Sequence, residues 1–428
     1  YSAISIDLIR HDPEFPLVID PSVSFFSYLG GGDSDICEGV AVDSSGNIYV
    51  AGYTYSRDFP VSRDAFSNSS SGWTDVFVSK FNPNGTVLEF STYIGGDGFD
   101  NCYDLVVEDD GTVVICGSTS SMDFPVTADA YDDTINGNED AFLLRLAANG
   151  SEIIFSTFIG GSSGTDRGYA VEIDTLGDIY VVGMTVNDDF PITRGSYDEG
   201  FNGKRDGFLF KMDQNGTDLI FSTFIGGGED DVPSDLCLDA SKNIVVVGYT
   251  VSDDFPTTTG SYDTTHGGKE DIFVLKMNLT GDQLDYSTFI GRGDSDIGTG
   301  IVLDEYGCPI IVGQSLSSSF PTTSSAYDRH LNGTSDIVVV RLDSNGSSLV
   351  YSTFLGGNSS EWGDSISIDG SGSIFISGTT SSDDFPTTMD AFDNSSNGRS
   401  DVIVSRLREN GTILDYSTYV GGSDIEVD

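Results

Sequence analysis

One short motif recurs along almost the whole chain, and its spacing constrains the fold more than any other feature. Each copy reads Ser-Thr-aromatic-aliphatic-Gly, or a close variant of it. The glycines that end the copies are 65 or 66 residues apart, at Gly30, Gly95, Gly160, Gly226, Gly291, Gly356 and Gly421. A regular period of this length indicates repeated structural units that bury their faces against one another.

The first complete unit carries four strand signals. Gly39–Asp43 is a short apolar run, Asn47–Thr54 alternates like a half-buried strand, and Asp75–Phe81 and Thr86–Ile94 are two further apolar segments. A long loop separates the second signal from the third, and Asn84-Gly85 predicts a two-residue hairpin turn before the fourth. Four antiparallel strands that repeat around an axis are the blades of a β-propeller, so the predicted fold class is all-β.

The number of blades depends on the two ends of the chain. Six units contain all four signals, and a seventh copy of the fourth strand lies at Val23–Gly30. Three terminal segments resemble the remaining strands of a blade: Ser2–Ile9, Leu17–Ser22 and Ser423–Asp428. We therefore predict one propeller domain over residues 1–428, with seven blades, one of them composed of strands from both ends. The alternative is six blades, with residues 1–30 left to pair with another subunit through an unpaired strand edge.

The units resemble the SBBP repeat, a family named for the seven-bladed β-propeller. The resemblance rests on the Ser-Thr-aromatic-aliphatic-Gly motifs that end the units, on the hairpins around Asp43–Val50 and Asp174–Val181, and on loops of the type Ser-x-Asp-Phe-Pro. It covers essentially the whole chain. It implies a propeller in a secreted or cell-surface prokaryotic protein, and it implies neither one particular activity nor any catalytic residue.

The charge of the chain excludes several classes of partner. It has 68 acidic residues against 19 Lys and Arg, a formal net charge of −49. Such a surface repels nucleic acid and anionic membranes, because both require a basic face. The sequence contains neither an apolar run long enough for a direct membrane span nor a signal peptide, and we expect a processed or trimmed mature chain.

Acidic residues recur five or six positions after each motif glycine, where the first strand of each blade begins. These carboxylates should gather at one rim or at the central channel, and together with backbone carbonyls they suit Ca²⁺, which takes about six to eight oxygen ligands. The alternative is that each acid caps its own turn, a role that equal recurrence in every blade favours. The predicted ligands of Ca²⁺, the one cofactor predicted, are Asp35, Asp100, Asp166, Asp231, Asp296 and Glu361.

Two other sets of residues recur in every complete unit. An aspartate opens each third strand, and we interpret it as a latch to a neighbouring loop; the set is Asp75, Asp140, Asp206, Asp271, Asp336 and Asp401. The long loop carries Phe-Pro and then a second aromatic residue, as at Phe59 and Phe66. We expect these rings to pin the loop over the blade, with an aromatic rim for sugars or peptides as the alternative.

The cysteines and the sequons indicate the compartment. The five cysteines form no Cys-x-x-Cys motif, so a zinc site is not expected, and Cys102 and Cys116 flank a predicted turn across which a disulfide is conceivable. Ten Asn-x-Ser/Thr sequons predict glycosylation at some positions. They lie at Asn68, Asn84, Asn149, Asn215, Asn278, Asn332, Asn345, Asn358, Asn394 and Asn410.

Catalytic motifs are not recognisable in the sequence. The three histidines, His11, His266 and His330, do not recur at one position of the repeat, and no nucleophile elbow or phosphate-binding loop is present. We therefore predict a non-enzymatic extracellular or cell-surface scaffold. It would be a subunit of a surface layer, sheath, filament or adhesive appendage that self-associates or binds other cell-surface proteins.

Two alternatives remain open. One is a monomeric module that binds glycan, peptide or Ca²⁺, and the other is a Ca²⁺-dependent hydrolase. A specific binder or an enzyme should have one blade with unusual residues near the central channel, whereas a scaffold should have nearly equal blades.

Overall fold

The computed structural model describes residues 26–422, which form six four-stranded antiparallel sheets. The first sheet contains β1 (Asp35–Val42), β2 (Ile48–Thr54), β3 (Asp75–Phe81) and β4 (Leu88–Ile94). The second contains β5 (Asp100–Val107), β6 (Val113–Thr119), β7 (Asp140–Leu146) and β8 (Ile153–Ile159), and the third β9 (Asp166–Ile173), β10 (Ile179–Thr185), β11 (Asp206–Met212) and β12 (Leu219–Ile225). The fourth contains β13 (Asp231–Leu238), β14 (Ile244–Thr250), β15 (Asp271–Met277) and β16 (Leu284–Ile290), and the fifth β17 (Asp296–Leu303), β18 (Pro309–Ser315), β19 (Asp336–Leu342) and β20 (Leu349–Leu355). The sixth contains β21 (Glu361–Ile368), β22 (Ile374–Thr380), β23 (Asp401–Leu407) and β24 (Leu414–Val420).

Each sheet is one propeller blade whose strands are neighbours in chain order. The first strands of successive sheets pack against one another, so they lie nearest the axis of the propeller. One end of the propeller carries the long loops and the motif glycines, and we call it the loop end. Strands one and three of each sheet begin there. The short hairpin turns between strands one and two, and between strands three and four, lie at the opposite end.

The hydrophobic core lies between the sheets, because each blade buries both of its faces. Five clusters of buried residues fill the five junctions between successive sheets. Strands β6, β10 and β18 are buried along their whole length, which explains their nearly continuous apolar sequences. No helix in residues 26–422 is long and apolar enough to cross a membrane.

A glycine in each second strand lies opposite a bulge in the first strand of the same sheet. In the third sheet the register shifts at Val182 and Gly183. A Cβ atom on Gly183 would lie 1.9 Å from the backbone oxygen of Arg167 in β9 and 2.6 Å from the Phe208 ring in β11. The glycine therefore permits close packing within its own blade, on both sides.

The turn between strands three and four is longer than the two residues predicted. Asn82 and Val87 close it through an N–H···O bond of 3.0 Å, and β4 begins only at Leu88. Gly85 alone adopts a positive φ, of 63°, while the Asn82 carboxamide oxygen accepts from the backbone N–H of Thr86 at 2.9 Å. The Asn-Gly pair thus belongs to a capped loop, in which only the glycine requires the left-handed region.

The described residues contain six blades, as the alternative predicted, and the preferred count of seven is corrected. The composite blade needed a strand at Val23–Gly30, but its described part, Phe26–Gly30, belongs to no strand. The side chains of Phe26 and Tyr28 are 66% and 92% exposed. The other segments assigned to that blade, Ser2–Ile9, Leu17–Ser22 and Ser423–Asp428, lie outside the described residues.

Two sheet faces are uncovered within residues 26–422. Val40 of β1 is 61% exposed, whereas the corresponding residues of the other first strands are nearly buried: Leu105 5%, Val171 4%, Leu236 4%, Ile301 3% and Ile366 8%. In the sixth sheet, β22 and β23 alternate between buried and half-buried residues, so only one face is fully covered. The sixth and first sheets lack the extensive strand contacts that join all other successive sheets in the described part of the chain.

The candidate disulfide between Cys102 and Cys116 does not form. The strand register places Cys102 opposite Gly117 and Cys116 opposite Asp104. Cys102 packs in the core between the first and second sheets, and Cys116 packs between the second and third. The two thiols therefore lie on opposite faces of one sheet, because the bulge changes which residues share a face.

Candidate functional site

The acids at the start of the first strands are buried hydrogen-bond acceptors. Asp100 accepts from the hydroxyl of Thr119 at 2.5 Å, from the hydroxyl of Ser121 at 2.8 Å and from the N–H of Gly96 at 2.8 Å. Asp231 and Glu361 accept from the equivalent Thr, Ser and Gly of their own blades. Each of these acids thereby joins the residue after the motif glycine to the end of the second strand.

This arrangement favours the alternative, in which each acid caps its own turn, over the predicted calcium site. The carboxylate oxygens of Asp100 already accept bonds from three donors, and a cation would have to displace them. Among residues 26–422, no group of three or more His, Cys, Asp or Glu is placed to hold a metal ion. Calcium binding by Asp35, Asp100, Asp166, Asp231, Asp296 and Glu361 stays a prediction.

The aspartates that open the third strands hold the end of the long loop, as predicted. Asp140 accepts from the N–H groups of Asn136 at 2.7 Å and Gly137 at 3.0 Å. The two sets of acids meet at the motif glycine between blades: a Cβ on Gly95 would lie 2.4 Å from a carboxylate oxygen of Asp75 and 2.8 Å from one of Asp100. The glycine is required because two carboxylates flank its backbone.

Burial raises the pKa of two acids in these pairs, Asp206 and Asp336. Burial, followed by the charge of Asp231, raises the pKa of Asp206 to about 7. Burial raises the pKa of Asp336 to about 7 in the same way, with Glu361 as the neighbouring charge. Hydrogen bonds from backbone N–H groups oppose both shifts without cancelling them. Asp206 and Asp336 are therefore structural groups that retain protons to unusually high pH.

Thr119→Val is expected to destabilise the second blade by about 1–3 kcal/mol. The change keeps the shape of the side chain but removes the hydroxyl that donates to buried Asp100 and accepts from the N–H of Ser121. Chemical denaturation measures the loss. Thr134→Val is the matched control, because Thr134 is exposed and its hydroxyl bonds only to exposed Asp133. Equal destabilisation of the two variants would contradict a stabilising role for the bonds between Asp100 and the end of the second strand.

The Phe-Pro loops are pinned by their rings. In the first four sheets the buried phenylalanine of the loop lies against a ring of the third strand, with centroid distances of 4.5 Å for Phe59 and Phe77 and 4.4 Å for Phe190 and Phe208. In the fifth and sixth sheets it lies near a ring of the fourth strand. At the second aromatic position the backbone ties the loop to the next blade, since the backbone N–H of Phe66 donates to the carbonyl of Gly150 at 2.9 Å. These contacts support the packing interpretation of the loop aromatics.

Carboxylates also face the axis in the middle of the propeller. Asp104 accepts from the N–H of Val171 in the next blade at 2.8 Å, and Asp235 accepts from the N–H of Ile301 at 2.8 Å. Burial, with smaller contributions from nearby carboxylates that include Glu172, raises the pKa of both acids, that of Asp235 to about 7. These two residues join neighbouring blades at the axis.

A cluster that does not repeat lies at the loop end, across the second, third and fourth sheets. We call it the Arg–Tyr cluster: Tyr103, Glu139, Arg167, Tyr169, Arg205 and Tyr249. Arg167 forms two bonds of 2.9 Å with the Glu139 carboxylate, which also accepts from the hydroxyl of Ser118 at 2.6 Å. The rings of Tyr103 and Tyr169 are 5.4 Å apart between centroids. All six residues are half-buried.

The tyrosines of the cluster keep their protons at neutral pH. Burial raises the pKa of Tyr103 to about 12. Burial also raises the pKa of Tyr169 and Tyr249, against the lowering effect of the nearby guanidinium groups. The cluster therefore presents two cations, one carboxylate and three neutral hydroxyl groups near the axis, and it can bind an anion that also carries hydroxyl groups.

Sequence reasoning missed this cluster because its members are far apart along the chain. Arg167 takes the place of Ile36, Asn101, Val232, Ile297 and Trp362 in the other repeats. Arg205 likewise occupies a position held elsewhere by Thr74, Glu139, Glu270, Ser335 and Ser400. Such departures from the repeat were a usable signal, but only the packing of adjacent sheets brings them together.

Comparison with known proteins agrees with the fold. The model of the SBBP family, described as a beta-propeller repeat, matches residues 25–60 and 154–191. Two segments of this chain are therefore similar to the SBBP repeat. No curated protein matches the sequence.

Solved structures resemble this chain at low identity. An ulvan lyase, a polysaccharide lyase bound to a GlcA–Rha3S saccharide, has 13% identity and a TM-score of 0.50, covering 94% of this chain and 87% of its own. A protein of unknown function from Dyadobacter fermentans has 10% identity and a TM-score of 0.46, covering 84% and 94%. Hydrazine synthase of Kuenenia stuttgartiensis has 9% identity and a TM-score of 0.44, covering 83% and 78%. Identities this low establish the shared propeller fold alone.

The prediction that the chain is not an enzyme is corrected by these comparisons. A polysaccharide lyase shares the propeller fold over most of both chains. The fold is thus compatible with catalysis, and missing sequence motifs do not exclude it, because function depends on the site and not on the fold. The Arg–Tyr cluster is also the kind of departure from equal blades that a specific binder or an enzyme requires.

Proposed function

We propose that this chain is a structural subunit of an extracellular assembly in which each copy binds the next. The observation that carries the proposal is the segment Phe26–Gly30. It is a copy of a motif whose six other copies each end a strand in a blade, yet it belongs to no strand in the described residues. A strand motif without a partner in its own sheet is suited to pairing with a second copy of the chain.

The uncovered faces of the first and sixth sheets support the same proposal. Exposed Val40 lies where every other blade junction has a buried aliphatic residue. The sixth sheet presents Phe375, Val402 and Val404, which are only half-buried. The two faces are different surfaces of one molecule, so contact between copies would be head-to-tail, and such contacts build rings or open filaments.

Charge determines the conditions under which copies associate. A net charge of −49 makes copies repel one another, and the repulsion weakens as salt shortens the screening length. We therefore expect association to increase with ionic strength. The exposed sequons support an extracellular location: the asparagine is exposed at nine of the ten positions, and Asn278 is half-buried.

Val40→Asp is expected to reduce association at least tenfold, because it places a charge on the uncovered face of the first sheet. Light scattering after size exclusion, with electron microscopy of the same samples, measures association of the full chain at low and high salt. Ile154→Asp is the matched control, since Ile154 of β8 is exposed but lies on the outermost strand of the second blade. Circular dichroism checks that both variants fold.

Two outcomes would contradict the assembly. One is a wild-type chain that remains monomeric at all salt concentrations. The other is protection of the β1 amides from hydrogen exchange that does not change with protein concentration, because the chain itself would then cover that face. Concentration-dependent protection of β1, lost in Val40→Asp and kept in Ile154→Asp, supports the proposal.

A further inference from the structure

Arg205 is a half-buried cation without an acidic partner, in a chain with 68 acidic residues. It takes part in none of the ion pairs within residues 26–422, and its buried Nε has no hydrogen-bond partner there. Asp230 forms a backbone bridge with Arg205 but no ion pair with it. The other described arginines without an ion pair, at positions 57, 63, 194, 329 and 399, are exposed to solvent.

Leaving a guanidinium partly desolvated and unpaired is unfavourable, and an acidic protein has many ways to avoid it. An ion pair lies one residue before this position in the same blade, at Lys204–Glu229, and at the equivalent position of the fourth blade, at Lys269–Asp294. Within the described residues Glu229 pairs with Lys204 and not with Arg205, so the charge of Arg205 is available to a ligand.

The surroundings of Arg205 restrict what that ligand is. Tyr249 and Tyr169 lie beside the guanidinium. Burial raises the pKa of both tyrosines, and the charge of Arg205 opposes this rise. Arg167 is held in place by both oxygens of Glu139, with a third of its side chain still exposed. The tyrosine hydroxyls donate and accept hydrogen bonds, and the rings offer apolar faces.

We propose that the Arg–Tyr cluster is a binding site for a sugar carboxylate, with Arg205 pairing with the carboxylate. A planar guanidinium binds a carboxylate through two parallel hydrogen bonds. The tyrosine hydroxyls and the carboxylate of Glu139 bond to the sugar hydroxyls, and the ring faces of Tyr103 and Tyr169 contact the apolar face of the sugar. This site is separate from the uncovered sheet faces that carry the proposed assembly.

Calorimetric titration of the full chain with sodium glucuronate, an oligogalacturonate, glucose and acetate tests the site. We expect the two uronates to bind and glucose and acetate to bind at least tenfold more weakly. Tighter binding of the oligomer than of the monomer identifies a polymeric source of the sugar acid, and equal binding identifies a single-sugar site. General electrostatic attraction cannot imitate the result, because the chain has a charge of −49.

Arg205→Gln is expected to lower the affinity for glucuronate at least tenfold, and Arg205→Lys is expected to restore part of it. Arg194→Gln is the matched control, because Arg194 is exposed, lies in the long loop of the same blade and forms no ion pair in the described residues. Thermal denaturation verifies that the variants fold. Failure of both uronates to bind, acetate binding as tightly as glucuronate, or equal affinities of wild type and Arg205→Gln would overturn the proposal.

Discussion

Gly183→Ala is expected to destabilise the protein by about 3 kcal/mol, at the upper end of the range for overpacking. The added Cβ would lie 1.9 Å from the backbone oxygen of Arg167 and 2.6 Å from the Phe208 ring. A backbone oxygen cannot move aside as a side chain can, so β9 must shift relative to β10. Because β9 also packs against the second and fourth blades, the shift spreads to both neighbours.

The midpoint of chemical denaturation measures this effect. Gly370→Ala is the matched control, because no atom lies within 4 Å of its added Cβ and its φ is ordinary. We expect the control to change stability by less than about 0.5 kcal/mol. Similar midpoints for the two variants would show that the bulged strand accommodates a methyl group. The same reasoning applies to the equivalent glycines Gly52, Gly117, Gly248, Gly313 and Gly378, whose Cβ atoms would lie 1.9–2.2 Å from a backbone oxygen.

Periodicity predicted the blades well because burial on both faces leaves a strong local pattern. The third strand was predicted at Asp75–Phe81 and is found there. The first strand was predicted at Gly39–Asp43, whereas β1 runs from Asp35 to Val42, because the bulge between Cys37 and Gly39 interrupts the alternation. Local patterns therefore identify regular strands, but they do not identify a strand that continues through a bulge.

Function was less accessible from the sequence, since it depends on contacts between blades. The recurring acids were predicted to be metal ligands because they repeat, and in the structure they also join strands, as the bonds of Asp100 show. Arg205 was not predicted to be a site residue because an arginine occurs at this position of the repeat only once. In a repeat protein the structural residues recur and the specific ones depart from the pattern, so single exceptions are the better guide to a site.

Stability is expected to fall steadily as the pH rises from about 4 to about 7. Burial raises the pKa of Asp75 and Asp166 to about 6, and that of Asp206, Asp296 and Asp336 to about 7, from an ordinary value of 3.8. Between these values the folded chain holds more protons than the unfolded chain, so unfolding releases protons and rising pH favours it. The stability that these acids contribute to the folded chain is fully present below their ordinary pKa. It is lost as the pH rises through their raised pKa.

Other acids act in the opposite direction at lower pH. Against the opposing effect of burial, hydrogen bonds lower the pKa of Asp43 and Asp369 at their hairpin turns and, chiefly from Lys276, that of Asp239. The stability that these acids contribute is therefore lost as the pH falls below about 4. The two groups together predict maximum stability near pH 4–5. Melting temperatures measured from pH 3 to pH 9 test this, and for the raised acids together the expected change between pH 4 and pH 7 is on the order of several kcal/mol.

Asp206→Asn is expected to flatten this pH dependence, because the amide cannot ionise. Asp206 accepts from the N–H groups of Asn202 at 2.8 Å and Gly203 at 2.9 Å, and the amide retains only one of these acceptors. The variant should therefore be less stable at pH 4 and should lose less stability on going to pH 7. Asp188→Asn, at an exposed position of the same blade, should leave the whole profile unchanged. Parallel profiles for wild type and Asp206→Asn would mean that Asp206 ionises at an ordinary pH, and that the paired acids are not the source of the pH dependence.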